Sequence, residues 1–239
     1  MVGPPGTTTG VTYAQGSIVG GFKAANMPQT IGRPLPPLQL LAPEGHSSDI
    51  RWNDFNYPPV LRLIHFDITE LQWKLRKVVR LLNFSLLLTT FVVACNLLDT
   101  IMLGMVAEIP PFWIVQAALH LIIFPPAALG TFYLGYCGLA TREPTLLRRY
   151  FPAQGALAAV SFLMALFPHR CVNGLLRLAY RPPTGTDADA LPGFWVFAIL
   201  AESTLWALNG TLGVLNIVRV RRASSPGGSM YASAPAQKV

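Results

Sequence analysis

The chain has 239 residues, of which 52% are hydrophobic and only 12% charged, with a mean hydropathy of +0.43 and a net charge of +7. That balance excludes a soluble domain of ordinary composition. The positive charge does not point to nucleic acid, because the basic residues cluster beside apolar runs and no basic platform interleaved with aromatics is present.

Residues 1–56 are rich in Gly, Pro, Ser and Thr without sustained periodicity, and read as a disordered cytosolic arm. Pro34 to Pro37 forms a minimal PxxP, a spacing common by chance. The first apolar run begins near residue 81, too late for a cleavable signal peptide, so the first span itself is expected to target the chain to the membrane.

Residues 57–80 combine a Pro-anchored segment with an amphipathic pattern. Asp67 and Glu70 have the spacing of a helix cap and its reciprocal partner, which predicts a helix start at Ile68. Ile68, Leu71, Leu75, Val78 and Leu82 then recur on one face, with Lys74, Lys77 and Arg80 mainly opposite. Such a helix suits the headgroup layer, with Trp73 at its boundary and Lys74, Arg76, Lys77 and Arg80 on anionic lipid, each worth roughly 1 kcal/mol. The plainer reading is a solvated extension of the first span.

Four apolar segments follow, at 81–103, 112–136, 151–168 and 192–218, each near the roughly 20 residues a bilayer requires. The expected fold is therefore an all-α integral membrane domain over 81–218, with four transmembrane helices and a flexible tail over 219–239. An even number of spans puts both termini on one side. Of the Lys and Arg residues, eight precede span 1, three lie between spans 2 and 3, and four follow span 4, against three between spans 3 and 4. The positive-inside rule then places both termini in the cytosol, with Arg170, Arg177 and Arg181 dissenting. Arg142, Arg148 and Arg149 in the second loop offer a further lipid contact.

Pro125-Pro126 should kink or break span 2, which predicts that this span packs inside the bundle where neighbours meet the freed carbonyls. Gly155, Ala156, Ala158 and Ala159 in span 3, with Gly210 and Gly213 in span 4, provide small surfaces for close helix contact and are compatible with a homo-oligomer. Asn96, Asp99, His120, Glu202 and Asn209 form the expected intramembrane polar set, with Asp99, His120 and Glu202 about 7–12 Å deep on the non-cytoplasmic side. Such residues either join helices by hydrogen bonds or build a proton or cation path. Four spans without a repeated half favour joining.

Cys95, Cys137 and Cys171 show no metal or disulfide spacing. No GxSxG, HExxH or phosphate-binding glycine loop occurs, so neither an enzyme nor a cofactor is expected.

Tyr57-Pro58-Pro59, then Leu63-Ile64-His65-Phe66-Asp67-Ile68, a basic helix, four spans and Asn96 midway along the first together resemble the secretory carrier membrane protein family. The resemblance covers roughly residues 57–222 and is strongest over 57–96. It implies a tetraspanning protein of Golgi, endosomal, vesicle or plasma membranes with cytosolic termini, serving vesicle fusion, recycling or endocytosis through anionic lipids, trafficking adaptors or fusion machinery. The arm carries no Asn-Pro-Phe repeat, as in the family's short forms, and Tyr133 to Arg142 lacks the family's Trp-Tyr-Arg-Pro segment. The competing readings are a small proton- or cation-coupled carrier on Asp99, His120 and Glu202, and an accessory subunit of a larger membrane complex.

Overall fold

The computed structural model describes residues 50, 52–106, 109–179 and 191–225. The arm before residue 50, the PxxP, Arg181 and the tail beyond Ser225 lie outside the described residues. Four α-helices dominate: α1 (Trp73–Val106), α2 (Phe112–Ala140), α3 (Pro144–Leu166) and α4 (Leu191–Ser224), with a short 3-10 turn at Leu175–Ala179 before α4. Among the described residues there is no strand, only two isolated backbone bridges. Three of the helices, α1, α2 and α4, are long and apolar enough to cross a bilayer.

The helices form an antiparallel ring in which α1 packs on α2 and α4, and α3 closes the ring between α2 and α4. Short connections dictate this order, because the turn at 141–143 leaves α3 no room except beside α2. Glu143 starts α3: its carboxylate accepts from the Thr145 amide at 3.2 Å, and Pro144 occupies the first helical position, where a missing amide costs nothing. Small residues set the closest approaches. A methyl at Gly213 would lie 2.9 Å from the Ala158 side chain, and one at Gly135 would lie 3.0 Å from the Tyr150 ring. Gly155, by contrast, faces open space.

The helix expected to start at Ile68 starts instead at Trp73, and α1 runs unbroken for 34 residues. The reason lies in the two carboxylates. Asp67 Oδ1 accepts from the Thr69 amide and hydroxyl, each at 2.7 Å, closing a local turn, while Glu70 reaches back to His65 at 2.7 Å. No capping pair is left to nucleate a turn at 68. Residues 73–80 are therefore the first turns of α1 rather than a separate helix before it. Their apolar face, Leu75 and Val79 with Leu82 and Leu86 beyond, is buried against the bundle.

The prolines of α2 do not break it either, since one helix passes through Pro125 and Pro126. Nor is the stretch around the prolines packed inside the bundle. The buried residues of α2 fall mainly beyond Ala128, where a docked segment covers the helix, while Ile122 and Ile123 face outward.

That segment is residues 52–72. Ile64 and His65 are buried, and Tyr57 pairs with Ile64 through reciprocal backbone bonds of 2.9 and 3.0 Å. Phe66 inserts edge-on between Phe132 and Tyr136, at 5.1 and 5.3 Å between ring centres. The Tyr57 hydroxyl donates to Asn83 Oδ1 at 2.7 Å, tying the segment to α1 as well.

Candidate functional site

The intramembrane polar residues do not form one cluster but two, at different levels of the bundle. The first gathers around Glu202 on α4, which is 1% exposed. Its Oε1 accepts from Asn96 Nδ2 on α1 at 3.0 Å and from Trp206 Nε1 at 3.1 Å; its Oε2 accepts from the Asn173 amide at 3.1 Å. Asn96 Nδ2 also donates to the Cys171 carbonyl at 2.6 Å. The loop between α3 and α4 thus dips into the bundle mouth and is held there by buried groups from two helices. It fits because Gly174 lies against the Phe167 backbone, where any added methyl would sit 2.3 Å from the carbonyl carbon.

Two of the dissenting arginines belong to this loop. Arg177 is 8% exposed, donates to Asn173 Oδ1 and to the Arg170 carbonyl at 2.6 Å each, and lies between the Trp113 and Trp195 rings at 5.0 and 5.2 Å. Arg170 lies 4.8 Å over the Phe112 ring. Arg177 is thus buried among aromatic faces and loop carbonyls, whereas Arg170 stays exposed over its ring. His120 does not meet Glu202. Its Nδ1 is 3.9 Å from Cys171 Sγ, and its ring stands edge-on to Phe124. Asp99 is half-buried and makes no hydrogen bond among the described residues.

The second level is centred on Asn209. Its Oδ1 accepts from Thr89 Oγ1 at 3.1 Å and its Nδ2 donates to Ser161 Oγ at 3.0 Å, joining α1, α3 and α4. Beside it is a cavity of about 10 Å³ bordered by Ser85, Thr89, Gln154 and Ser161, room for a single water. Asn209→Ala strips both interhelical bonds and leaves Thr89 and Ser161 only their bonds to the Ser85 and Leu157 carbonyls of their own helices, so thermal unfolding in mild detergent should show a loss of about 1–3 kcal/mol.

The other end of the bundle carries the charge. Lys74, Lys77 and Arg80 are exposed on the first turns of α1, with Trp73 67% exposed and Lys74 Nζ 5.8 Å from its ring. Arg148 and Arg149 are exposed on the first turns of α3, and Arg142, half-buried at φ 58°, stands in the turn before it. Arg219, Arg221 and Arg222, exposed on the last turns of α4, complete the same end. Arg76 is the exception. Its Nε donates to the Leu71 carbonyl at 2.9 Å and its guanidinium to the Thr69 carbonyl at 2.7 Å, so it stitches the turn before α1 rather than facing lipid.

The docked segment was legible only as a motif. His65 Nδ1 lies 2.9 Å from the Asp54 carbonyl and Nε2 lies 2.7 Å from Glu70 Oε2, so the ring ties the start of the segment to its end. At Asp67, the Thr69 hydroxyl and then the Thr69 amide hold the carboxyl below its usual range. The folded value being depressed, this turn is favoured above the ordinary carboxylate range and loses that contribution as pH falls through the lowered value.

The chain matches the family model described as "SCAMP family" over residues 54–225, well over half of its length, beginning inside the docked segment and ending with α4. No curated protein and no solved structure matches it. An all-helical bundle with long apolar helices, and a match running from the docked segment to the last basic turn, lead to one assignment: the chain is an integral membrane protein belonging to the secretory carrier membrane protein family, a family of vesicle trafficking.

Proposed function

We propose that this protein spans the membrane four times with both chain ends in the cytosol, and serves post-Golgi or endosomal recycling, exocytosis or endocytosis by lipid and protein contacts rather than by chemistry. The observation that carries this reading is the uneven distribution of charge. The first turns of α1 and α3 and the last turns of α4 bring exposed Lys and Arg to one end, whereas at the other end Arg177 is buried between aromatic rings and, among the described Lys and Arg, Arg170 alone is exposed. A basic end of that kind suits the anionic cytosolic leaflet. For α3, 23 residues give about 35 Å of length, sufficient to cross, although Arg148, Arg149 and Gln154 lower its apolar content. Golgi, endosomal, vesicle and plasma membranes are the compartments this implies, with trafficking adaptors or fusion machinery as protein partners.

Nanodiscs of neutral lipid carrying the full chain should bind phosphatidylserine vesicles at low salt and release them as the salt is raised. Replacing Lys77, Arg80, Arg148 and Arg149 together with Gln should weaken that binding by at least about a hundredfold, at roughly 1 kcal/mol per charge. Binding that ignores both salt and the four substitutions would refute lipid contact as the mechanism.

A further inference from the structure

The docked segment enters the bundle at one level and turns at a deeper one. Trp52 meets Tyr136, at 5.9 Å between ring centres, about 6 Å inside the C-terminal end of α2 at a rise of about 1.5 Å per residue. Tyr57 meets Phe132 at 6.0 Å, about 12 Å inside that end, and bonds to Asn83, about 15 Å along α1 from Trp73. The chain then turns and retraces its path. Ile64 pairs with Tyr57, Phe66 lies between Phe132 and Tyr136, and the Asp67 amide donates to the Tyr136 hydroxyl at 3.3 Å. Tyr57 and Ile64, which flank the tip at residues 58–62, thus stand near the Phe132 level, past the last basic residue of α1, Arg80, and about 15 Å inward of Arg142.

At that tip, Val60 is 92% exposed and Leu61 61% exposed. In water this would be an odd use of two adjacent apolar side chains. The turn satisfies part of its own backbone, while the Val60 and Leu61 amides carry no hydrogen bond among the described residues and need the polar edge of the acyl layer. Pro58 and Pro59 carry no amide donor, the Arg62 amide donates to the Pro58 carbonyl at 2.8 Å, and the Leu63 and Ile64 amides both donate to the Tyr57 carbonyl at 2.9 Å. Arg62, at φ 48°, ends the turn with its side chain exposed and long enough to reach toward phosphate.

We propose that residues 58–62 are a re-entrant tip that places Val60 and Leu61 among the acyl chains of the leaflet at the basic end of the bundle, with Arg62 reaching back to the headgroups. This deepens the lipid-contact reading and rests on the bundle standing in a membrane. Its partner is the outer part of the acyl layer, not the headgroup surface that the exposed Lys and Arg residues touch. The tip then acts as a wedge in one leaflet.

A polarity-sensitive fluorophore on Val60→Cys, in the full chain with Cys95, Cys137 and Cys171 replaced and reconstituted in liposomes, tests this. Lipids carrying a nitroxide near the top of the acyl chain should quench it, and aqueous iodide should reach it about tenfold less than a probe on Ser225→Cys. A Val60 probe as open to iodide as the Ser225 probe and untouched by nitroxide lipid would overturn the proposal, provided a probe on Phe91→Cys, on the exposed face midway along α1, is quenched by lipid. If the Phe91 probe also escapes, the membrane placement itself falls, and the tip with it. A second measurement needs no substitution: lipids with a diazirine high on the acyl chain should form adducts within 58–62 of the native chain. Adducts on Phe84 or Phe91 but none within 58–62 would overturn the proposal independently of how the cysteine variants fold.

Discussion

Glu202→Ala is expected to lower the stability of the bundle by about 3–5 kcal/mol and to release the loop between α3 and α4. The carboxyl group is the common acceptor for Asn96 Nδ2, the Asn173 amide and Trp206 Nε1, all in the buried mouth of the bundle. Removing it leaves the Asn173 amide and Trp206 Nε1 buried with no partner and leaves Asn96 Nδ2 only the Cys171 carbonyl. Glu202→Gln keeps the size of the side chain but substitutes a donor for one acceptor, so a donor then faces a donor and about 1–3 kcal/mol is lost. Thermal unfolding in mild detergent reads the first effect. Trypsin reads the second, since Arg177 is held between two tryptophan rings only while the loop is seated. An unchanged melting temperature together with unchanged resistance at Arg177 would mean that Glu202 does not hold the loop. A carrier would give a different pattern, in which Glu202→Gln abolishes a proton flux in liposomes and leaves the loop in place.

His65→Ala is expected to undock residues 52–72 while leaving the four helices assembled. The ring contributes two hydrogen bonds, to the Asp54 carbonyl and the Glu70 carboxylate, and an edge contact with Trp52 at 5.8 Å, all from a side chain 1% exposed. Losing them and opening a cavity should cost about 2–4 kcal/mol of docking free energy. Hydrogen exchange localises the effect: the Leu63 and Ile64 amides, which donate to the Tyr57 carbonyl, should exchange about 30- to 1,000-fold faster, with α3 and α4 unchanged. Adding Glu70→Ala should make little further difference, because the pair acts as a unit. Exchange at Leu63 and Ile64 as slow as in the unaltered chain would show that the ring does not hold the segment.

The apolar spans were readable because hydropathy over a bilayer length is a strong signal, and every predicted span lies largely inside an observed helix. The start of α1 was not readable, because Asp67 and Glu70 have the spacing of a cap but spend their oxygens elsewhere. Glu70 goes to His65, a contact made by the fold of the segment and invisible to spacing. The polar set failed in part for a related reason. Counting residues along a helix gives the level of a side chain but not the direction it faces, so His120 and Glu202 share a depth range, whereas Asn96 and a loop amide hold that carboxyl. Arg170 and Arg177 counted against the charge rule as sequence letters, and their aromatic partners, distant in the chain, are visible only in the fold. The inward course of residues 52–66 had no sequence signal beyond the prolines and aromatics of the family motif.

The continuity of α2 has its own consequence. Pro125 and Pro126 take two rungs from the hydrogen-bond ladder midway along the helix, where close packing beyond Ala128 gives way to the outward-facing Ile122 and Ile123. The stretch before them is anchored by its neighbours far less than the stretch after them, with a weakened joint between. Heat, detergent or a change in bilayer thickness will therefore fray α2 from that joint outward, while the half that carries the docked segment stays clamped.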